Sequence, residues 1–496
     1  MSGIGDLSAV QLRDALAGGE LAAAEATAFF LARIEQRDPA LGAFVHVAAG
    51  PALDRARALD ASPAGAPRGP LHGMPLAVKD LHDVAGMPTG YGSAAVPGGG
   101  AAAADDDLAA LLRASGAVLL GKTQVPEFGL NCYSENLVAP PVRNPHDPAT
   151  GAGGSSGGQA AAVAAGMLPV APGSDGGGSV RIPAAVCGLV GLKPNRGWIP
   201  TADAQSDAGQ LVVHGPIARS AEDAALLLDV LCSPAPGPAH GNVVHRAVQA
   251  APQKSFLEAV RAARRGDPPW GDRPLRIGVS VASPFDAAYD IAVSAEARAA
   301  LDAGVAGLRA AGHEVGEAGL SYDPAYPRAF FDVWTTAMGT VPLEAGRAGR
   351  LTGLAAAFRA RALRRSAVEL AEAVGTLRRI EQDVVRAYGE WDMVLTPALA
   401  MPPRPPGWYW EGYDQASPAG ADQDYRRQCR YTPWTSIVNV AGLPAVTFPT
   451  LRTRAGGDDG GPPVPMGVQL VGRPSAEAQL LAVVAQLEHR PPGPRT

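Results

Sequence analysis

Apolar residues recur at helical spacing between residues 8 and 36, and Ser8 stands where a helix N-cap is wanted. The pattern predicts one helix to about Ala17 and a second from about Ala22 to Ile34. A Pro/Gly-rich turn at Ser62 to Pro70 follows. Met74 to Val78 is then an unbroken apolar run, the signature of a short buried strand, and it ends at Lys79. Ala109 to Ala114 predicts a helix and Ala117 to Leu120 a strand. Beyond a Gly- and Ser-dense stretch at 144–188, Ser220 and Asp223 resemble a capping box opening a helix to Cys232. Residues 233–272, rich in Pro and Gly, predict a linker or excursion. The remaining pattern gives a strand at Leu275 to Val281, a helix at Ser294 to Ala311, and a long helical stretch from about Ala355 to Tyr388 with a charged, solvated face. Strands at Met393 to Thr396, Ala445 to Phe448 and Gly467 to Val471 and a closing helix at Glu477 to Glu488 complete it. No repeat is visible, and the alternation of helix and strand predicts α/β layering.

A chain of 496 residues admits two or three average domains or one large one. Its 42 Lys and Arg against 48 Asp and Glu give a net charge of -6, which offers nucleic acid or anionic lipid no electrostatic attraction. Neither is an expected partner. Apolar residues make up 47%, enough for a core, while 60 Gly and 46 Pro require much of the chain to turn. Cys132, Cys187, Cys232 and Cys429 lie far apart, so they predict buried, reduced thiols and no metal cluster. No secretory signal and no apolar stretch long enough to span a bilayer is apparent, so a cytoplasmic protein with no membrane association is expected.

The chemistry concentrates in Gly153-Gly-Ser155-Ser-Gly-Gly158 and Gly173-Ser-Asp175-Gly176-Gly177-Gly178-Ser179-Val-Arg181. Glycine permits left-handed backbone and close approach of a ligand, and successive N–H groups in such a loop can form an anion nest, which aimed at a carbonyl oxygen would be an oxyanion hole. Val163, Val170, Val180 and Ile182 embedded in the stretch argue against a flexible linker. A serine beside such a loop is a candidate nucleophile, but His146 and His214, the nearest histidines, give no obvious Ser-His-Asp arrangement. Lys79 offers another base: desolvation at the end of an apolar strand lowers an amine's proton affinity. An ion pair with Asp80 or Asp83 is the alternative, and the residues alone leave the two open. Gly153-x-Ser155-x-Gly157 also fits a nucleophile elbow, yet the turn-rich residues before it predict no strand. A Walker loop is excluded because no Gly-Lys-Ser/Thr follows the glycines.

Gly69-Pro-Leu-His-Gly-Met-Pro-Leu-Ala-Val-Lys-Asp80 resembles the lysine segment of the amidase signature family, and Gly153 to Ala184 resembles its Gly/Ser signature, including Asp175, Ser179, Arg181 and Pro183. Similarity continues at 122–129, 143–148, 191–194, 215–220 and 464–472, nearly the whole chain, and is weakest at about 233–270 and 320–430. The resemblance implies one α/β/α domain over 1–496 around a mixed, mostly parallel sheet, with a signature core at about 70–230 and a variable, aromatic-rich, substrate-covering region at about 320–435. It implies that Ser179 is the nucleophile, Ser155 a bridging serine on a cis peptide and Lys79 the terminal base. Gly176, Gly177, Gly178 and Ser179 would supply the oxyanion hole, and Asp175 and Arg181 would order the loop. No cofactor or metal is implied. A small-molecule amide is the expected substrate, and a homodimer is a family-based expectation.

Two departures stand out: Gly176, where many relatives carry a bulkier residue, and Ala139-Pro140-Pro141, where relatives often have glycine. Three successive glycines suggest a more mobile oxyanion loop. Trp408-Tyr409-Trp410, with Trp434 downstream, read either as ordinary loop packing or as rigid apolar walls for an aryl, lipophilic or peptide-like amide, since this region in the resembling family often covers the acyl pocket, and Asn131 and Cys132 are further candidate pocket residues. Residues 276–280 and 394–400 look most like stand-alone bacterial amidases, including those acting on aminohexanoate oligomers. The alternatives are the catalytic subunit of a glutamine-dependent tRNA amidotransferase and an enzyme passing its acyl group to an amine.

Overall fold

The computed structural model of the chain describes residues 3–63, 68–97, 100–199, 207–233, 255–454 and 461–488. Its strands are β1 (Phe44–Val47), β2 (Pro75–Lys79), β3 (Val118–Thr123), β4 (Arg143–Asn144), β5 (Asp147–Gly151), β6 (Val170–Asp175), β7 (Val190–Lys193), β8 (Val213–Ala218), β9 (Arg276–Val279), β10 (Glu314–Glu317), β11 (Met393–Pro397), β12 (Ala445–Thr453) and β13 (Val464–Gly472). Eight of them form one sheet in the order β10-β9-β11-β13-β12-β7-β8-β6; β1, β3 and β2 form a second, and β4 and β5 a small hairpin.

Side chains alternate across a strand, and here the alternation serves two cores. Met393 and Leu395 of β11, Val446 of β12 and Leu470 of β13 join one. Their neighbours Val394, Ala445 and Val471 join the other. The helices Ala221–Leu231, Phe256–Arg264, Ala295–Ala310 and Glu477–Glu488 pack on the first face. Tyr326–Thr340, Gly353–Ala362, Ala367–Tyr388, Pro418–Tyr431 and Ser436–Ala441 pack on the second. The result is the expected α/β/α layering around a mixed sheet. Parallel pairing in that sheet is confined to β10–β9–β11, and every other neighbouring pair is antiparallel. The sheet therefore leans antiparallel rather than mostly parallel. For β12 and β13 the reason is local: the interval from Thr453 to Val464 is shorter than the roughly dozen residues a parallel crossover needs.

Most predicted elements fall where the pattern put them, and the departures have local causes. The second helix runs on to Leu41, through Pro39, and stops at left-handed Gly42. The long helical stretch breaks into Gly353–Ala362 and Ala367–Tyr388, because Ser366 and Glu369 form a reciprocal capping box inside the periodic run. Residues 234–254 of the predicted linker lie outside the described residues. At its far end Phe256–Arg264 is a helix, capped by Ser255 and by Asp229 accepting from the N–H groups of Phe256 and Leu257. All four cysteines are buried without a disulfide. Among the described residues no helix is long and apolar enough to cross a membrane, and no acidic, His or Cys cluster has the form of a metal site.

Candidate active site

Every residue of β2 is buried, and its apolar run carries Lys79 to the strand's end at 1% exposure. There Lys79 Nζ lies 2.7 Å from Ser155 Oγ and 2.9 Å from Ser174 Oγ. Asp80, one of the acids open as an ion-pair partner for this lysine, turns the other way and accepts from Lys122 at 3.2 Å. Ser174, the penultimate residue of β6, is not marked by the sequence pattern, yet its hydroxyl holds the amine alongside Ser155.

Ser155 follows a cis Gly154–Ser155 peptide, is 2% exposed, and stands two residues before the helix Gly157–Ala164. A strand does precede this turn, contrary to the sequence reading, since β5 ends at Gly151. It belongs to the β4–β5 hairpin rather than to the large sheet, so the nucleophile-elbow setting is still missing. The next residue ties the two serine loops together, Ser156 N–H donating to the Ser179 carbonyl at 3.2 Å. His146 contacts the Cys187 carbonyl, and the His214 ring lies tilted against His82, which meets Asp106 at 2.7 Å.

The loop carrying Ser179 is built around Asp175. Its carboxylate accepts from Gly178 N–H at 2.7 Å, Val180 N–H at 3.2 Å and Asn439 Nδ2 at 2.9 Å. It also forms a two-pronged pair with Arg181, at 2.9 Å to Nε and 2.8 Å to Nη2. Arg181 reaches on to Gln469, Asn439 and the Thr435 carbonyl, and neither member of the pair is exposed. Burial disfavours the Asp175 charge, but the Arg181 charge and hydrogen bonds, with help from Lys193 and Asn439, hold the carboxyl well below the usual range. This geometry corrects one expectation. The Gly178 N–H is already spent on Asp175, so it is withdrawn from the oxyanion set. Gly178 is needed for its backbone instead: φ is +130° and an added Cβ would come within 2.5 Å of Thr435 Oγ1. Gly176, Gly177 and Ser179 keep N–H groups for which no protein acceptor occurs among the described residues.

Two cavities meet at Ser179, which is 7% exposed. One, about 60 Å³, is walled by Ile182, Phe285 and Phe330 with the polar Asn131, Cys132, Tyr425 and Gln428. The other, about 450 Å³, includes Ser155, Ser174, Tyr91, Phe128 and Val341. Leu130 and Trp334 belong to both walls. Asn131 and Cys132 line the smaller of the two cavities. Trp408, Tyr409, Trp410 and Trp434 do not line either cavity. Tyr409 and Trp410 pack on Tyr133, and Trp434 is spent on the carbonyls of Val281 and Ala282. The aromatic walls come instead from Phe285, Phe330, Trp334 and Tyr425 on the narrow side and Tyr91, Phe128 and Trp334 on the wide side, with Tyr326, Phe330 and Trp334 stacked along one helix face at i, i+4 and i+8. That spacing is legible in the sequence, but nothing local marks it as facing a serine. Burial raises the Cys132 and Cys429 thiols far up, so both stay protonated.

The family model described as Amidase matches residues 25–481. AmiB2 of Mycobacterium tuberculosis (strain ATCC 25618 / H37Rv), a protein assigned as an amidase, is 36% identical over 96% of this chain and 94% of its own. A glutamyl-tRNA(Gln) amidotransferase subunit of Thermus thermophilus is 33% identical over 96% of each chain. Among solved structures, 6-aminohexanoate cyclic dimer hydrolase superposes with a TM-score of 0.81 at 27% identity, covering 98% of this chain and 97% of that one.

Proposed function

The chain belongs to the amidase signature family, and from that membership we propose that it hydrolyses a carboxylic amide through an acyl-enzyme on Ser179. The observation that carries the reading is the 2.7 Å approach of Lys79 Nζ to Ser155 Oγ in a cavity wall that also holds Ser179. Ser155 takes the Ser179 proton as it passes its own to Lys79, and Ser179 Oγ bonds to the amide carbon. The carbonyl electron pair moves to oxygen, which the N–H groups of Gly176, Gly177 and Ser179 receive. Collapse breaks the C–N bond, and the nitrogen leaves with a proton returned through Ser155. Water then repeats the sequence on the ester; an amine in its place would give acyl transfer. Asp175 and Arg181 act at one remove, by holding the loop.

A glutamine-dependent reading has the Thermus thermophilus relative in its favour, but the walls weigh against it. Glutamine carries a carboxylate, and no Lys or Arg lines either cavity among the described residues. Asp207, the one charged wall residue described, is occupied by the N–H groups of Gly209, Leu211 and Val212. An amide library that includes glutamine tests both readings. Ser179→Ala is expected to lose about 10⁴-fold or more in turnover, and Ser155→Ala and Lys79→Ala at least about 10²-fold. Undiminished turnover in any of the three contradicts the relay, and turnover of glutamine alone favours the amidotransferase reading.

A further inference from the structure

The two cavities at Ser179 are not equivalent with respect to the proton relay. The departing nitrogen takes its proton from Ser155, so it must lie on the side of Ser179 where Ser155 is. Ser155 and Ser174 belong to the wide cavity and not to the narrow one. The amine half of the substrate therefore occupies the wide cavity, between Tyr91, Phe128, Trp334 and Val341, and the acyl half enters the narrow one. Gly177 lies in the narrow wall and Gly176 in the wide one, which puts the reacting carbonyl at the boundary between them.

The narrow cavity also states what it accepts. Its polar groups are neutral, and one of them is held rigidly: Gln428 Oε1 accepts from Cys132 N–H at 3.1 Å while its Nε2 donates to Asp424 at 2.8 Å. Asp424 is itself buried and bonded to Tyr133 Oη, so a carboxylate stands behind the pocket and repels an anionic acyl group. Among the described residues Tyr425 Oη, in a residue 8% exposed, finds no oxygen or nitrogen partner, and the Cys429 thiol lies beside it. The boundary is Trp334. Its ring lies where a side chain at residue 176 would stand, an added Cβ there coming within 3.1 Å of it. Gly176 thus makes room for the partition.

Resting on the amidase reading above, we infer that this enzyme cleaves short-acyl amides of bulky apolar amines, with Trp334 as the residue that sets the division. The test is kcat/KM on two series, anilides with acyl groups from acetyl to hexanoyl and acetamides with amines from ammonia to aniline. Acetanilide is expected to exceed hexananilide by at least about tenfold, and to exceed acetamide. Trp334→Ala is expected to erase most of the acyl-length discrimination, and Trp334→Phe, which keeps a ring in place, to retain part of it. Preference for hexananilide or for acetamide over acetanilide, or an unchanged acyl-length ratio in Trp334→Ala, overturns the inference. Ser179→Ala is run alongside: if it turns over the series as the wild type does, the underlying amidase mechanism fails, a result distinct from a reversed preference in an enzyme that still needs Ser179.

Discussion

Two buried carboxylates, one within the loop that carries the nucleophile and one behind the narrow cavity, are shifted in opposite directions. Asp175, in the signature half, is paired with Arg181 and held well below the usual carboxylate range. Asp424, in the aromatic half, is pushed up to about 6 by burial, which its bonds from Tyr133 and Gln428 and the Arg427 charge only partly offset. The difference separates two ways of building a site. The floor, from Lys79 to Arg181, is fixed by charge and by side-chain bonds to backbone N–H groups. The wall, from Phe330 to Ser436, is fixed by ring packing and by the hydrogen bonds that Tyr133 and Gln428 donate to Asp424.

The most damaging way to break the contrast is Arg181→Met, which leaves the Asp175 charge buried without its cation. A loss of about 3–5 kcal/mol is expected, read as a large drop in denaturation midpoint. Retention of the wild-type midpoint would show that the pair does not organise the loop.

Stability against pH sharpens the contrast. Asp175, with a lowered value, contributes stability that is complete above its unfolded value of 3.8 and fades as pH falls below it. Asp424, with a raised value, contributes stability that is complete below 3.8 and fades as pH rises through about 6. Relative to the wild type, Asp424→Asn should therefore gain stability between pH 4 and 7, by about 2–3 kcal/mol. Asp175→Asn should show no such gain over that range, and its disadvantage should shrink only at lower pH. Parallel slopes for the two variants would contradict the opposite shifts.

This division also explains what the sequence made legible. Lys79, Ser155, Asp175, Ser179 and Arg181 come together because each needs one residue type at one backbone position, and such requirements leave a readable motif. The spent Gly178 N–H was not readable, because whether a loop N–H faces a ligand or its own Asp depends on φ and ψ. Ser174, Thr435 and Asn439 act on the site through side-chain hydrogen bonds, from positions as distant in sequence as residue 439. The wall carries still less local signal. Aromatic density pointed to Trp408, Tyr409 and Trp410, whereas the cavity is faced by Phe330 and Trp334, whose i, i+4 spacing is that of any buried helix.

The smallest effect follows from that correction. Trp410→Ala should lower thermal stability by removing its packing on Tyr133, yet change kcat/KM by less than about threefold, under ~0.7 kcal/mol. A tenfold loss would return this residue to the substrate pocket.

The nucleophile itself is tested most directly by labelling with a small alkyl fluorophosphonate, followed by peptide mapping and mass measurement. One phosphonyl group per chain is expected, on Ser179, absent from Ser179→Ala and formed more slowly in Lys79→Ala. A label on Ser155, or an undiminished label in Ser179→Ala, would contradict the assignment of Ser179 as the nucleophile.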